Sequence, residues 1–230
     1  MLPLGLFADR RFTVPNVASF VLGFGTSAVF ALLSLYLQDV QHRSPLAAGL
    51  LFLPMSVAIC LTGPAAARWC ARFGPLPVMA AGYAVSGAGL LGLLALGTRS
   101  GVTAAIVLGV VLGAGMGASI APTQLAGVLA LPRQRSGLAS ACIATTRQGG
   151  TALGVAVLGL IIATAAAPAS PGYPAGFVRG LHRAGIVSGA LTLATAALLA
   201  AAAMAGQTAR SAAIAADPAH PDGSAPGTGA

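Results

Sequence analysis

Six uninterrupted apolar stretches dominate this chain, and almost all of its charged residues lie between them. Each stretch is close to or longer than the ~20 residues that a helix needs to cross a bilayer. None carries the polar stripe that a surface helix of a soluble protein turns toward water. We therefore predict six spanning segments, at Val14–Leu37, Leu46–Ala67, Leu76–Leu96, Val102–Leu129, Leu138–Ala165 and Ala184–Met204.

Backbone hydrogen bonding decides the form of these segments. In lipid only helices and closed barrels pair every backbone N–H and C=O group, and these runs lack the period-2 alternation of barrel strands. Hydrophobic residues make up 57% of the chain and charged residues 7%, whereas charged residues are about a quarter of a soluble domain. We predict an all-α protein of the cytoplasmic membrane, with a six-helix bundle over residues 13–206, a short N-terminal segment 1–12 and a disordered cytoplasmic tail 207–230.

The placement of arginine predicts the orientation of the bundle. All 12 basic residues are arginines, and alternate sides of the predicted bundle carry seven and four of them. Because cytoplasmic loops carry the excess of basic residues, both termini are predicted to be cytoplasmic. Trp69 and Tyr36 are expected to be aromatic anchors at the inner and outer interfaces. The side of the termini holds Arg10, Arg11, Arg68, Arg72, Arg133, Arg135 and Arg210, and the other side holds Arg43, Arg99, Arg179 and Arg183.

The polar residues argue against several classes of function. Net charge is +8, but the arginines are scattered over short loops without a basic cluster, so no nucleic-acid partner is expected. No aspartate, glutamate or histidine lies within a predicted span, which argues against an enzyme, a metal site or a cofactor. The glycine-rich fourth span follows no strand and lacks the spacing of a dinucleotide-binding loop. We interpret its Gly109, Gly113 and Gly117 as a close-packed helix face.

One charge lies inside a predicted span. Arg147 follows the apolar run 138–144 in the fifth segment. An arginine near the midplane costs roughly 3 kcal/mol even on lenient insertion scales, so a functional interpretation has it facing a water-filled cavity or a partner. The alternative is that the helix begins later and Arg147 reaches back to the cytoplasmic interface. If Arg147 is buried, its counter-charge is a substrate, water, backbone carbonyls or another polypeptide.

Several segments resemble one family of transporters, in the same order along the chain. The stretch YLQDV at 36–40, followed by SPLAAGLLFLP at 44–54, is similar to a "YLQ…SPL.AGL..LP" segment of the fourteen-helix drug:proton antiporters in the major facilitator superfamily. GLAS at 137–140 and TRQGGTALG at 146–154 resemble the family's "GLAS…N..RQ.GGALG" segment. The glycine-rich span ending at Pro122, and LFADRRF at 6–12, resemble a helix and a linker of the same family. The resemblance covers about residues 4–165.

This resemblance implies the C-terminal half of a proton-driven multidrug or metabolite exporter, built from two inverted three-helix repeats. It implies that the first and fourth helices line a central cavity, the second and fifth pack against the other half, and the third and sixth face lipid. A complete member has about twice as many helices, and its proton-coupling acid lies in the N-terminal half. The implied partners are the bilayer, a small-molecule substrate, and an N-terminal half of six to eight helices or a second copy of the chain. The candidate cavity and coupling residues are Arg147, Gln148, Asn16, Ser19, Thr26, Ser27, Thr123 and Gln124.

The loop between the second and third spans departs from the family pattern. Arg68, Arg72 and Gly74 remain as candidate residues of a cytoplasmic gating loop. Ala71 stands where the family has an aspartate, and Pro-Leu-Pro at 75–77 replaces its basic run. A second interpretation of the chain is a non-transporting scaffold, or a vestigial half, that associates with a full transporter.

Overall fold

The structure is a computed structural model that describes residues 9–98, 100–166 and 172–215, without the side chains of residues 27, 28 and 206–215. In these ranges the regular secondary structure is helical, and six helices are long and apolar enough to cross a bilayer, which confirms the predicted all-α fold. They are α1 (Arg10–Val40), α2 (Pro45–Phe73), α3 (Pro75–Ala95), α4 (Val102–Leu129), α5 (Arg133–Ala165) and α6 (Tyr173–Ala215).

One π-helical turn interrupts α1 and a second one ends it. They lie at Gly23–Ser27 and Tyr36–Val40, after the α-helical segments Arg10–Leu22 and Ala28–Leu35. A π-helical turn inserts an extra residue and is common at functional sites. The first of these turns packs against α5, so the irregular part of α1 lies at a contact between helices.

A tight turn joins α2 to α3. After an interruption at Phe52, α2 continues as Leu53–Phe73 and ends at Gly74, whose φ is 82° and ψ is 166°. This combination is accessible almost only to glycine, because a side chain would clash with the backbone. Pro75 then begins α3, where its missing N–H is no loss because first-turn N–H groups have no partner in a helix.

The two three-helix halves of the bundle exchange their packing partners. Helix α1 packs mainly on α5, and α4 packs mainly on α2 and α3. Helix α3 also packs along α6. The first helix of each half thus pairs with the second helix of the other half, so the two three-helix repeats interlock.

The crossing of α1 and α5 is built from two reciprocal glycines. A Cβ atom at Gly23 would overlap the backbone carbonyl of Arg147, and one at Gly150 would overlap the carbonyl of Phe20. Each glycine therefore lies directly against the backbone of the opposite helix. Close approach of this kind gives the van der Waals contact that holds helices together where lipid supplies no hydrophobic drive.

Helix α6 is longer than the sequence predicts. It begins at Tyr173 and not at Ala184, and its backbone remains helical to Ala215. Apolar composition marks only the part of a helix that lies in hydrocarbon. Arg179 and Arg183, both exposed, break the apolar run near the start of α6, so the predicted span begins only after them. Part of the predicted tail, 207–215, is therefore helical in backbone, and residues 216–230 lie outside the described residues.

The structure differs from two expectations about which groups face lipid. Tyr36 is not an interfacial anchor: it is fully buried, and its hydroxyl donates a 2.6 Å hydrogen bond to the Gly97 carbonyl in the α3–α4 connection. Helix α3 exposes one narrow stripe, which includes Ala81, Val85 and Ala88, because α4 and α6 cover its other sides. Trp69, by contrast, is exposed.

Candidate functional site

Arg147 lies deep along α5. The continuous α-helical part begins at Ser136, so a rise of 1.5 Å per residue places the Arg147 backbone about 16 Å along the helix. Half of the hydrocarbon thickness is about 15 Å. The Arg147 carbonyl also lies against Gly23, which is near the middle of α1. Both measures put this arginine near the centre of two spanning helices.

The positive charge of Arg147 is within electrostatic range of Tyr83, a completely buried side chain of α3. The side chain of Arg147 is itself half-buried. Within residues 9–98, 100–166 and 172–215, no ion pair or hydrogen bond of the guanidinium is found, and the carboxylates in these ranges are Asp9 and Asp39, at the two ends of α1.

Tyr83 belongs to a small group of buried hydroxyls between α3 and α4. Its oxygen lies 3.4 Å from Thr123 Oγ1, and Thr123 donates a 2.7 Å hydrogen bond to the Ser119 carbonyl. Because the one hydroxyl proton of Thr123 is used there, Tyr83 is the donor to Thr123. Sequence reasoning missed Tyr83, although it is the one tyrosine in the middle of a predicted span.

Asn16 and Ser19 connect α1 to α5 and are almost completely buried. Asn16 Nδ2 donates to the Phe12 carbonyl at 2.8 Å, and Thr146 Oγ1 donates to Asn16 Oδ1 at 3.3 Å. Ser19 Oγ donates to the Ile143 carbonyl at 3.0 Å. These polar groups are satisfied inside the α1–α5 contact, and the structure does not bring them to an open cavity.

The other candidate cavity residues are divided between buried and exposed positions. Thr26 is buried in the first π-helical turn, and its hydroxyl has no hydrogen-bond partner among the described residues. Gln124 is half-buried, and its Nε2 lies 3.4 Å from the Ser140 carbonyl that accepts from it. Gln148 is exposed next to Arg147. The side chain of Ser27 lies outside the described residues.

The gating-loop candidates lie at the turn between α2 and α3. Arg68 and Arg72 are exposed, and the Arg72 guanidinium carbon lies 5.4 Å from the centre of the Phe73 ring. Gly74 provides the glycine-only backbone conformation that separates the two helices. The turn contains no carboxylate, so its arginines have no ion pair within it.

The glycine face of α4 meets α2. A Cβ atom at Gly117 would come within 2.7 Å of the Ile59 carbonyl oxygen, and one at Gly113 would press on the Met55 backbone. Gly109 has only an ordinary contact, 3.7 Å, with the Met55 side chain. Gly113 and Gly117 thus allow close approach of α2 and α4, as Gly23 and Gly150 do for α1 and α5.

Comparison with known proteins agrees with this architecture. The family model described as Major Facilitator Superfamily matches residues 16–216. The multidrug efflux pump LfrA of Mycolicibacterium smegmatis is 34% identical over 163 residues, which are 70% of this chain and 32% of that protein. The multidrug resistance protein Stp of Mycobacterium tuberculosis is 29% identical over 163 residues, 71% of this chain and 30% of Stp. The riboflavin transporter RibZ of Clostridioides difficile is 29% identical over 153 residues, 66% of this chain and 34% of RibZ.

The chain thus aligns with about a third of the length of these curated relatives. Members of the matched family are membrane transporters and not enzymes. The six apolar helices, the exchanged packing of the two three-helix halves and the match over most of the chain lead to one conclusion: this multi-pass membrane protein belongs to the Major Facilitator Superfamily and is related to its multidrug efflux proteins.

Proposed function

We propose that this chain is the C-terminal half of a proton-driven exporter of drugs or small metabolites. It works with an N-terminal half of six to eight helices, in the same polypeptide or as a separate subunit, and both of its termini are cytoplasmic. The names of LfrA, a multidrug efflux pump, and Stp, a multidrug resistance protein, support the substrate class, and the alignment with about a third of their length supports a partial transporter. Transport proceeds by rocking of the two halves around a shared midplane site.

The unpaired charge of Arg147 is the observation that carries this proposal. Burying an arginine at midplane depth costs roughly 3 kcal/mol, and a counter-charge or a hydrated cavity must offset that energy. The carboxylates of the described residues, Asp9 and Asp39, lie at the two ends of α1 and not at this depth. We infer that the missing anion comes from the other half or from the substrate.

The exposed side of α5 supports a second helical half. Gln148 and Gly149 are exposed at the depth of Arg147, followed one turn later by exposed Ala152. A glutamine amide turned toward hydrocarbon would leave its hydrogen bonds unmade, whereas a facing helix can supply partners. Small neighbouring residues also allow such a helix to approach closely. We assign this face, with the exposed apolar side of α2, to the contact with the N-terminal half.

Substitutions of Arg147 test the proposal in proteoliposomes that contain both halves and a pH gradient. Arg147→Gln keeps a polar side chain but removes the charge, so efflux of a fluorescent drug should fall at least tenfold while membrane insertion stays normal. Arg147→Lys should restore only part of the efflux, because an ammonium is a compact point charge without the planar fork of arginine. Arg179→Gln, which removes an exposed arginine of α6, is the matched control and should leave efflux unchanged. Equal efflux by wild type, Arg147→Gln and Arg147→Lys would reduce Arg147 to a membrane anchor.

A non-transporting scaffold is the alternative, and the altered gating loop favours it because Ala71 removes the aspartate of the family pattern. The two functions differ in their genetic context. A neighbouring reading frame that encodes an N-terminal half favours the exporter, whereas a truncated or frameshifted frame favours the scaffold.

A further inference from the structure

A cleft opens at the end of the bundle where α1 and α3 begin and α4 ends. Its volume is about 380 Å³. Val14 of α1, Leu76 of α3, and Ala126 and Leu129 of α4 form its apolar walls. The cleft is large enough for a hydrocarbon chain, and it is open at the arginine-rich side of the bundle.

Two adjacent arginines are the polar side chains of this cleft. Arg10 and Arg11 line it and are both exposed. Within the described ranges neither guanidinium has an ion pair, and the neighbouring Asp9 carboxylate accepts a 2.9 Å hydrogen bond from the Arg11 backbone N–H as the cap of α1. The cleft therefore combines an apolar interior with two available guanidinium groups.

We propose that this cleft binds an anionic phospholipid, with the phosphate between Arg10 and Arg11 and an acyl chain along the apolar walls. A soluble anion would match the arginines and leave the walls uncovered. A zwitterionic lipid would match the walls but bring a positive group beside the arginines. Guanidinium groups bind phosphate oxygens in a bidentate manner, and basic pockets between spanning helices hold anionic headgroups.

A second cleft shows what the arginines add. It is lined by Trp69, Phe73, Val85 and other apolar residues of α2, α3 and α4, without a charged side chain. Such a cleft can contact lipid tails, but it has no group that distinguishes one headgroup from another. Selectivity for anionic lipid is therefore expected at the cleft of Arg10 and Arg11.

Lipid binding by the purified full chain in detergent tests this proposal without any transport assay. Native mass spectrometry measures retention of phosphatidylglycerol and of phosphatidylcholine with identical acyl chains. The double variant Arg10→Gln/Arg11→Gln should bind phosphatidylglycerol about thirtyfold more weakly, which follows from the attraction of two basic residues to an anionic headgroup. The variant Arg133→Gln/Arg135→Gln removes the same charge from the exposed turn that begins α5 and should bind as wild type does.

Filling the walls provides a second measurement that leaves both arginines in place. Ala126→Phe should also weaken phosphatidylglycerol binding, while the circular dichroism spectrum shows that the variant remains helical. Equal retention of the two lipids, or equal losses in the two arginine double variants, would overturn the proposal. Competition by inorganic phosphate at the concentrations of the lipid would overturn it as well, because the walls would then contribute nothing.

Discussion

The glycines of α5 allow a sharp test of the α1–α5 crossing. Gly149 and Gly150 are consecutive, but a Cβ atom at Gly149 would meet nothing within 4 Å, whereas one at Gly150 would overlap the carbonyl of Phe20. Alanine in place of glycine stabilises a helix by about 1 kcal/mol, and this gain applies to both positions. The two alanine variants therefore differ only in what the added methyl group meets.

The expected energies follow from that difference. At Gly150 the atoms in the way belong to the backbone of Phe20, so no side-chain rotation relieves the overlap and the two helices must separate. Overpacking of this kind costs about 3 kcal/mol, at the upper end of its usual range. We expect Gly149→Ala to raise the free energy of unfolding by up to about 1 kcal/mol and Gly150→Ala to lower it by about 2 kcal/mol.

Unfolding in mixed micelles, with helical content followed by circular dichroism as denaturing detergent is added, measures both values. Gly23→Ala should be destabilising for the same reason, because its methyl group would overlap the Arg147 carbonyl. The double variant Gly23→Ala/Gly150→Ala should lose less free energy of unfolding than the two single variants together, since one separation of the helices accommodates both methyl groups. Equal stabilities of Gly149→Ala and Gly150→Ala would refute this description of the crossing.

Three further outcomes are expected. In a variant without native cysteines, a thiol reagent applied outside intact cells should label Ser100→Cys and not Ser136→Cys, and the reverse pattern would contradict the orientation. Gly74→Ala should lower the free energy of unfolding by about 2 kcal/mol, because φ is 82° there, whereas Gly137→Ala, at a helical position with open space around the added methyl group, should not lower it. The chain reconstituted alone should be oligomeric or poorly stable and should not export, and robust proton-dependent efflux by it would instead indicate a functional homodimer.

Much of the fold follows from the sequence because spanning a bilayer is a local requirement. Each helix must pair its own backbone groups and present about 20 apolar residues, and both properties can be read from a single segment. For the same reason the absence of acidic residues and histidine from the spans was visible at once. Arg147 stood out because a charge in an apolar run needs no tertiary information to be recognised.

The side that each helix turns toward the interior of the bundle could not be predicted in this way. Lipid tails are as apolar as a protein core, so a spanning helix has no polar stripe that separates its buried side from its exposed side. The sequence therefore suggested Asn16 and Ser19 as cavity residues, whereas the tertiary structure places both in the α1–α5 contact. Only the structure revealed that Tyr83 is buried against Thr123 between α3 and α4 and that Tyr36 is buried.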